Sequence, residues 1–322
     1  MGKRVAAVDC GTNSIRLLIS EVLPDGTLKD LQRHMKIVRL GQGVDATGEF
    51  APEALERTRL ALADFIILMQ ESGVDAVRMV ATSATRDAAN KEEFFAMTAQ
   101  LLGQVVPGAS AEVISGDEEA ALSFAGAISD LPANAANQVC VIDLGGGSTE
   151  FVVGDTAGNV DSEISTQMGC VRIRERCLLS DPATALEIAN ARKVIGAELA
   201  KVRNQVAIEE IGTVVGCAGT FTTFSAVLQE LVAYDPQAIH GSVFTTAQMR
   251  ACAQRLYTST ATERGANPVI HPGRVDVLNA GAVIVEEIMQ LLESVGVREI
   301  MISEKDILDG IASNLAATLN SH

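Results

Sequence analysis

The chain has 322 residues, and its 25 Lys and Arg against 41 Asp and Glu leave a formal charge of −16, with 48% hydrophobic and 3% aromatic residues. It is too apolar for an acidic disordered tail and long enough for two domains of roughly 100 to 200 residues each. With that charge, no Trp and two Tyr, a general nucleic-acid coat is excluded, and a polyanionic ligand would need a local basic pocket. Six cysteines, at 10, 140, 170, 177, 217 and 252, show no CxxC pair and no Cys/His metal spacing, and MGKRVAAVDC lacks the apolar stretch of a signal peptide. Apolar runs such as Phe65 to Met69 fall far short of the roughly 20 residues that cross a bilayer. These features predict a two-domain cytoplasmic protein with reduced thiols and no membrane or nucleic-acid partner.

In chain order, VAAVDC (5–10), IRLLISEVL after a Gly-Thr-Asn-Ser turn, and a third extended stretch ending near Leu40 predict a β-meander. Pro52 opens a helix whose apolar positions 55, 62, 65, 66 and 69 keep helical spacing until Gly73, and AVRMVA then reads as a buried strand. AEVIS (111–115) predicts a strand leading to a helix near Asp117, and VCVIDLGGGSTEFVVGD another strand, turn and strand. The remainder reads as mostly helical, with strands near 213–217 and 298–302. The first strand and turn recur: Val5 to Ser14 align with Val139 to Ser148 at an offset of 134, each copy ending in Asp-x-Gly and small residues. Such a duplication predicts two similar domains, with a boundary near 126–137 in the segment Asp130-Leu-Pro-Ala-Asn-Ala-Ala-Asn.

In DLGGGST (143–149), three glycines would allow positive φ and let backbone N–H groups converge on phosphate, with Ser148 and Thr149 adding hydroxyls. Asp143 at the strand end offers a carboxylate of the kind that holds Mg²⁺ together with waters and substrate phosphates. In the first copy, DCGTNS (9–14), the side chains of Thr12, Asn13 and Ser14 replace two glycines as donors. Arg16 alternates with Ile15 and Leu17, which leaves open whether it points into a cleft or to solvent. SGDEEA (115–120) joins a strand to a helix, and Glu118 and Glu119 lie about 100° apart on it, so at most one faces bound phosphate as a base for water. Acidic residues there also complement the helix dipole. ATSATR (81–86), with Arg86, and GCAGT (216–220) follow strands and open helices, where α/β sheets place anions, although Thr and Ser caps explain the same pattern. Arg172, Arg174 and Arg176 spread around a helix and read as a solvated face; His240 and His271 read as structural or exposed, and Cys170 and Cys177 as small buried hydrophobes.

VDCGTNSIRLLI, ATSATR, ISGDEEA, VIDLGGGSTE, GCAGT and SEKDILDGI occur in that order along the chain. Together they resemble the exopolyphosphatase and guanosine pentaphosphate phosphohydrolase family, of the sugar kinase, actin and heat-shock chaperone ATPase superfamily. The resemblance implies an α/β fold of two actin-like (ribonuclease H-like) domains with an interdomain cleft. Domain I would comprise 1–126 plus a C-terminal helix at 305–322, and domain II 127–304. It implies Glu119 as the general base, Asp143 and Glu150 as Mg²⁺ ligands with Asp9 assisting, and phosphate contacts from Gly11, Thr12, Asn13, Ser14, Arg86, Gly145, Gly146, Gly147, Ser148, Gly219 and Thr220. The implied substrate is inorganic polyphosphate or guanosine pentaphosphate, the cofactor Mg²⁺ or another divalent ion with K⁺ as a further cation, and the assembly a homodimer. Longer relatives carry further C-terminal helical domains, which puts processivity on long chains in question here. Ala218 also stands where a serine is common. The phosphate turns alone would equally suit an ATP-dependent kinase or an alarmone-sensing module that does not turn over.

Overall fold

A computed structural model describes residues 2–132 and 135–320; the expected boundary segment falls partly outside them. The chain divides into two compact units, Met1–Gly126 with Ile307–His322, and Ala127–Asp306.

Unit 1 starts with the meander β1 (Arg4–Cys10), β2 (Ser14–Val22) and β3 (Leu28–Ile37), followed by α1 (Val44–Thr47) and α2 (Pro52–Glu71). Next come β4 (Ala76–Ala81), α3 (Ser83–Asp87), α4 (Lys91–Leu102), β5 (Ala111–Val113) and α5 (Gly116–Ala127). The sheet order is β3-β2-β1-β4-β5, with the meander antiparallel and β1, β4 and β5 mutually parallel. Period-two alternation splits the central strands between two cores. Ala6, Val8, Ile15, Leu17 and Ile19 pack with Leu62, Phe65 and Phe94 of α2 and α4, whereas Ala7, Leu18 and Val80 face the opposite layer.

Unit 2 repeats the meander as β6 (Gln138–Leu144), β7 (Thr149–Asp155) and β8 (Val160–Thr166), then α6 (Cys170–Cys177), α7 (Ala185–Gln205), β9 (Thr213–Cys217) and α8 (Ala218–Leu228). α9 (Pro236–Ile239), β10 (Val243–Thr245), α10 (Thr246–Thr258), α11 (Ala261–Gly265), α12 (Leu278–Ser294) and β11 (Glu299–Ile302) complete it. Its sheet runs β10-β11-β9-β6-β7-β8, the order of unit 1 with β10 added antiparallel at one edge. The last helix, α13 (Ile307–Asn320), returns to unit 1, where Ile307, Leu308 and Ile311 are buried against Ala7, Leu18 and Val80. Each such side chain contributes about 1.5–3 kcal/mol by burial. Arg33 on β3 pins the helix through Asp309 at 2.5 Å.

In both units the motif turns collect at one sheet end because the strands that carry them are neighbours. Cys10 pairs with Ala81 and Ala81 with Val113, so DCGTNS, ATSATR and ISGDEEA lie side by side. Asp143 pairs with Cys217, which sets DLGGGST beside GCAGT.

Candidate active site

In unit 1, the Gly11 N–H donates to the Ser14 carbonyl at 3.0 Å and closes the hairpin. The Thr12 carbonyl accepts from the Gly41 N–H, and the Asn13 carbonyl from the Val38 and Arg39 N–H groups at 3.0 and 2.9 Å. Because a trans peptide points its C=O and the next N–H in opposite directions, these bonds turn the Asn13 and Ser14 N–H groups away from the buttressing loop. Asn13 is buried and its Oδ1 has no hydrogen-bond partner. Asp9 Oδ2, across the ladder from Arg16, accepts from Arg16 Nε at 3.0 Å and Nη2 at 2.7 Å. Arg16 therefore points neither into open solvent nor away from the turn: it neutralises Asp9. On α5, Ser115 Oγ caps the helix through the Glu118 N–H, and the two glutamates part. Glu118 is exposed and paired with Arg78 at 2.6 Å. Glu119 is buried, and Arg86 Nη1 donates to its Oε2 at 2.7 Å and to the Ile114 carbonyl at 3.1 Å. Two residues expected to act separately are thus one pair. Thr82, which precedes α3, makes no side-chain cap, so capping does not account for ATSATR.

In unit 2 the same hairpin bond joins the Gly145 N–H to the Ser148 carbonyl at 3.0 Å. The carbonyls of Gly145 and Gly146 accept from the first N–H groups of α6, Cys170 at 3.0 Å and Val171 at 2.8 Å, while the Gly147 carbonyl accepts from Arg172 Nε at 2.7 Å. By the same peptide geometry, the N–H groups of Gly146, Gly147 and Ser148 all face away from α6, an arrangement of donors able to bind an anion. The expected positive φ is absent: none of these glycines is left-handed. Close approach is served by Gly169, which precedes α6: a Cβ there would overlap the Gly146 peptide. Arg172 corrects a second expectation, being buried as the brace of the turn, whereas Arg176 alone of the three arginines is exposed. Cys170 is buried as expected and Cys177 half-buried; all six cysteines are free thiols. At GCAGT the left-handed residue is Ala218, with φ 65°, a conformation that costs a non-glycine residue about 1–2 kcal/mol. Gly219 follows, and a Cβ there would occupy the position of the Arg274 guanidinium. Arg274 thus lies over the first turn of α8, beside Thr220.

The chain matches the Ppx/GppA phosphatase family over residues 18–315. It belongs to that family. It is 51% identical to Exopolyphosphatase 2 of Mycobacterium tuberculosis over 317 residues, 97% of this chain and 98% of that protein. Among solved structures, an exopolyphosphatase-like protein is 36% identical with a TM-score of 0.93, each chain covered to 99%. The Aquifex aeolicus Ppx/GppA family member is 30% identical with a TM-score of 0.80, again with 99% coverage of both. The α/β fold of two actin-like units is therefore that of the Ppx/GppA proteins, and no helix among the described residues is long and apolar enough to cross a membrane.

Within this Ppx/GppA phosphatase, unit 1 gathers Asp9, Gly11, Thr12, Asn13, Ser14, Arg86 and Glu119, and unit 2 gathers Asp143, Gly145, Gly146, Gly147, Ser148, Glu150, Gly219 and Thr220. Among the described residues no group of three or more His, Cys, Asp or Glu forms a ready metal cage. Mg²⁺ needs less, since it keeps several waters and binds through one or two carboxylates plus substrate phosphates. Asp143 and Glu150 meet that requirement: both are buried and directly opposed across the hairpin, with Glu150 Oε1 held by Ser165 Oγ at 2.7 Å. Arg172 and Arg274 were not identified as site residues from the sequence. Alternation with apolar neighbours was the one available signal for Arg172, and a Pro-Gly turn for Arg274.

Proposed function

We propose that this phosphatase is an exopolyphosphatase that releases orthophosphate from the end of an inorganic polyphosphate chain. The observation that carries the reading is the row of Gly146, Gly147 and Ser148 N–H groups turned outward beside the Asp143–Glu150 carboxylate pair, a set of donors and metal ligands suited to a phosphate chain. The kinship with Exopolyphosphatase 2 supports the choice of substrate.

In this reading the N–H groups of Gly146, Gly147 and Ser148, the Gly219–Thr220 helix start and Arg274 bind phosphate oxygens in unit 2. Gly11, Thr12, Asn13 and Ser14 do so in unit 1. Asp143 and Glu150 would hold Mg²⁺, which would supply charge neutralisation on phosphate oxygens. Asp9, already neutralised by Arg16, has a secondary part in that shell. Glu119, oriented by Arg86, takes a proton from water as it attacks the terminal phosphorus in line, and the remaining chain leaves. Positioning and electrostatics provide most of the rate in such reactions.

Phosphate release from long polyphosphate, short polyphosphate and guanosine pentaphosphate, with and without Mg²⁺, tests the assignment. We expect metal-dependent release with polyphosphate preferred, and Glu119→Gln to lower kcat by about 10²–10⁴, the worth of a general base. Wild-type turnover in that variant sinks the mechanism, and phosphate transferred to an added acceptor would make the protein a kinase.

A further inference from the structure

The turn at 11–14 in unit 1 is held from behind by the loop that joins β3 to α1. Val38 and Arg39 of that loop both donate their N–H groups to the Asn13 carbonyl, and Gly41 donates to the Thr12 carbonyl at 2.9 Å. The loop is pressed against the turn, since a Cβ on Gly41 would overlap the Thr12 methyl group. It is also strained: Arg39 has φ 51°, a left-handed conformation that a residue with a Cβ rarely adopts and that persists only where its surroundings impose it. The restraint comes from another element. Arg57, in the second turn of α2, donates from Nε to the Val38 carbonyl at 2.7 Å and from Nη2 to Gln42 Oε1 at 3.0 Å, with the Arg39 carbonyl 3.4 Å from the same nitrogen. The Gln42 N–H in turn donates to the Arg39 carbonyl at 3.0 Å. Arg59, two residues on, pairs instead with Glu56 on the helix surface.

We propose that Arg57 is a positioning residue for phosphate binding in unit 1: by clamping the strained loop at 38–42 it fixes the Thr12 and Asn13 carbonyls, and with them the direction of the Asn13 and Ser14 N–H groups. This deepens the phosphatase reading and rests on its placement of phosphate at that turn. Arg57 acts through the loop backbone alone. If its donors are lost, Arg39 is free to relax toward negative φ, and because the Arg39 N–H is itself bonded to the Asn13 carbonyl, the relaxation loosens the turn. In unit 2 the same task is done in one step, by Arg172 Nε on the Gly147 carbonyl; in unit 1 an arginine of a different helix does it in two.

Arg57→Met keeps a long side chain of similar helix propensity and removes the donors; Arg59→Met, on the same helix, is the control. Phosphate release from polyphosphate and hydrogen–deuterium exchange of the segment 38–41 are measured on the full-length protein. In Arg57→Met the KM for polyphosphate should rise about three- to tenfold with kcat within about twofold, the worth of a hydrogen bond felt at one remove. Exchange at 38–41 should quicken by roughly tenfold, while the β1–β2 ladder keeps its rate. A protein that is merely destabilised loses active fraction, and so kcat, with KM unchanged, and exchanges faster throughout unit 1. Arg57→Lys, which keeps the charge and returns part of the donor set, should recover part of both losses and takes the place of the Met variant if that one does not fold. An unchanged KM, a fall in kcat alone, or equal effects in Arg59→Met would each overturn the proposal. A wild type that releases no phosphate from polyphosphate, with exchange at 38–41 still quickened selectively in Arg57→Met, would remove the substrate reading and support Arg57 as the clamp of the loop.

Discussion

At the offset of 134 that relates the two hairpins, Asp9 falls on Asp143 and Arg16 falls on Glu150. The backbone is the same in both, down to the 3.0 Å bond from the glycine N–H to the serine carbonyl. The charge is not. In unit 1 the residue opposite the aspartate is its own countercharge, at 2.7 Å; in unit 2 it is a second carboxylate. Like charges opposed across a ladder are destabilising and opposite charges favourable, by roughly 0.2–1 kcal/mol. One copy of the duplicated hairpin thus opposes its aspartate with a guanidinium, and the other sets two buried acids against each other. A difference at one ladder position gives the two copies different charge, which in the proposed reading makes the unit 2 turn the principal metal holder.

Glu150→Gln breaks the comparison most directly. If the second carboxylate is what makes unit 2 the metal-binding copy, the apparent affinity for Mg²⁺ should fall by at least about 10- to 100-fold, since even outer-shell partners of metal ligands carry that much. A Mg²⁺ titration of phosphate release reads this, with partial rescue at high metal expected. An unchanged Mg²⁺ requirement would show that the metal is held elsewhere.

The same pair of hairpins predicts stability effects of different size. Arg16→Met removes the guanidinium from the buried Asp9, and breaking a buried ion pair costs about 3–5 kcal/mol. Arg16 is itself 19% exposed, so about 2 kcal/mol is the expected loss, seen as a lower urea midpoint. Glu150→Gln, which keeps an oxygen acceptor for Ser165 Oγ and removes one of two opposed carboxylates, should cost less than Arg16→Met in the absence of metal. Parallel losses in both variants would mean that burial of the hairpin, and not its charge pattern, governs its stability.

The meander, the duplicated turn and the placing of motifs at strand ends were legible because they are local: apolar alternation, Asp-x-Gly and helix starts occupy a few adjacent residues. So was the restriction that Glu118 and Glu119 face different ways, since the helical period alone demands it. What was not legible depends on partners remote in the chain. Arg172 reads as one of three alternating surface arginines until the Gly147 carbonyl is found against its Nε. Arg16 could not be oriented without knowing that the register sets it opposite Asp9, and Arg274 without knowing that Gly219 leaves room for its guanidinium. The reading of Gly145–Gly147 as positive-φ residues failed for a related reason, because the turn is shaped by its carbonyl bonds to α6 and by the close approach of Gly169, both of which come from a later element.

The smallest effect tests how Arg274 is carried to its place in the second copy, for which unit 1 uses no comparable residue in our reading. His271 precedes the short 3₁₀ turn Pro272–Arg274, and its Nδ1 accepts from the Gly273 N–H at 3.0 Å. Partial burial, and then the nearby Arg274 charge, lower the His271 pKa from its usual 6.5, so the ring is neutral and able to accept near pH 7. A histidine with a depressed folded pKa contributes stability that is present above its unfolded value and lost as pH falls below it, because the unfolded chain takes up the proton first. Once protonated, Nδ1 is a donor and the turn that carries Arg274 loses its cap. Between about pH 7.5 and pH 5.5 the KM for polyphosphate should therefore rise by about two- to tenfold, the worth of one hydrogen bond, with kcat less affected. In His271→Asn an amide oxygen that does not titrate takes over the Gly273 N–H, and the acid limb should flatten. If the two proteins keep the same acid limb, the pH dependence belongs to the substrate or to the carboxylates, and Arg274 does not depend on His271 for its position.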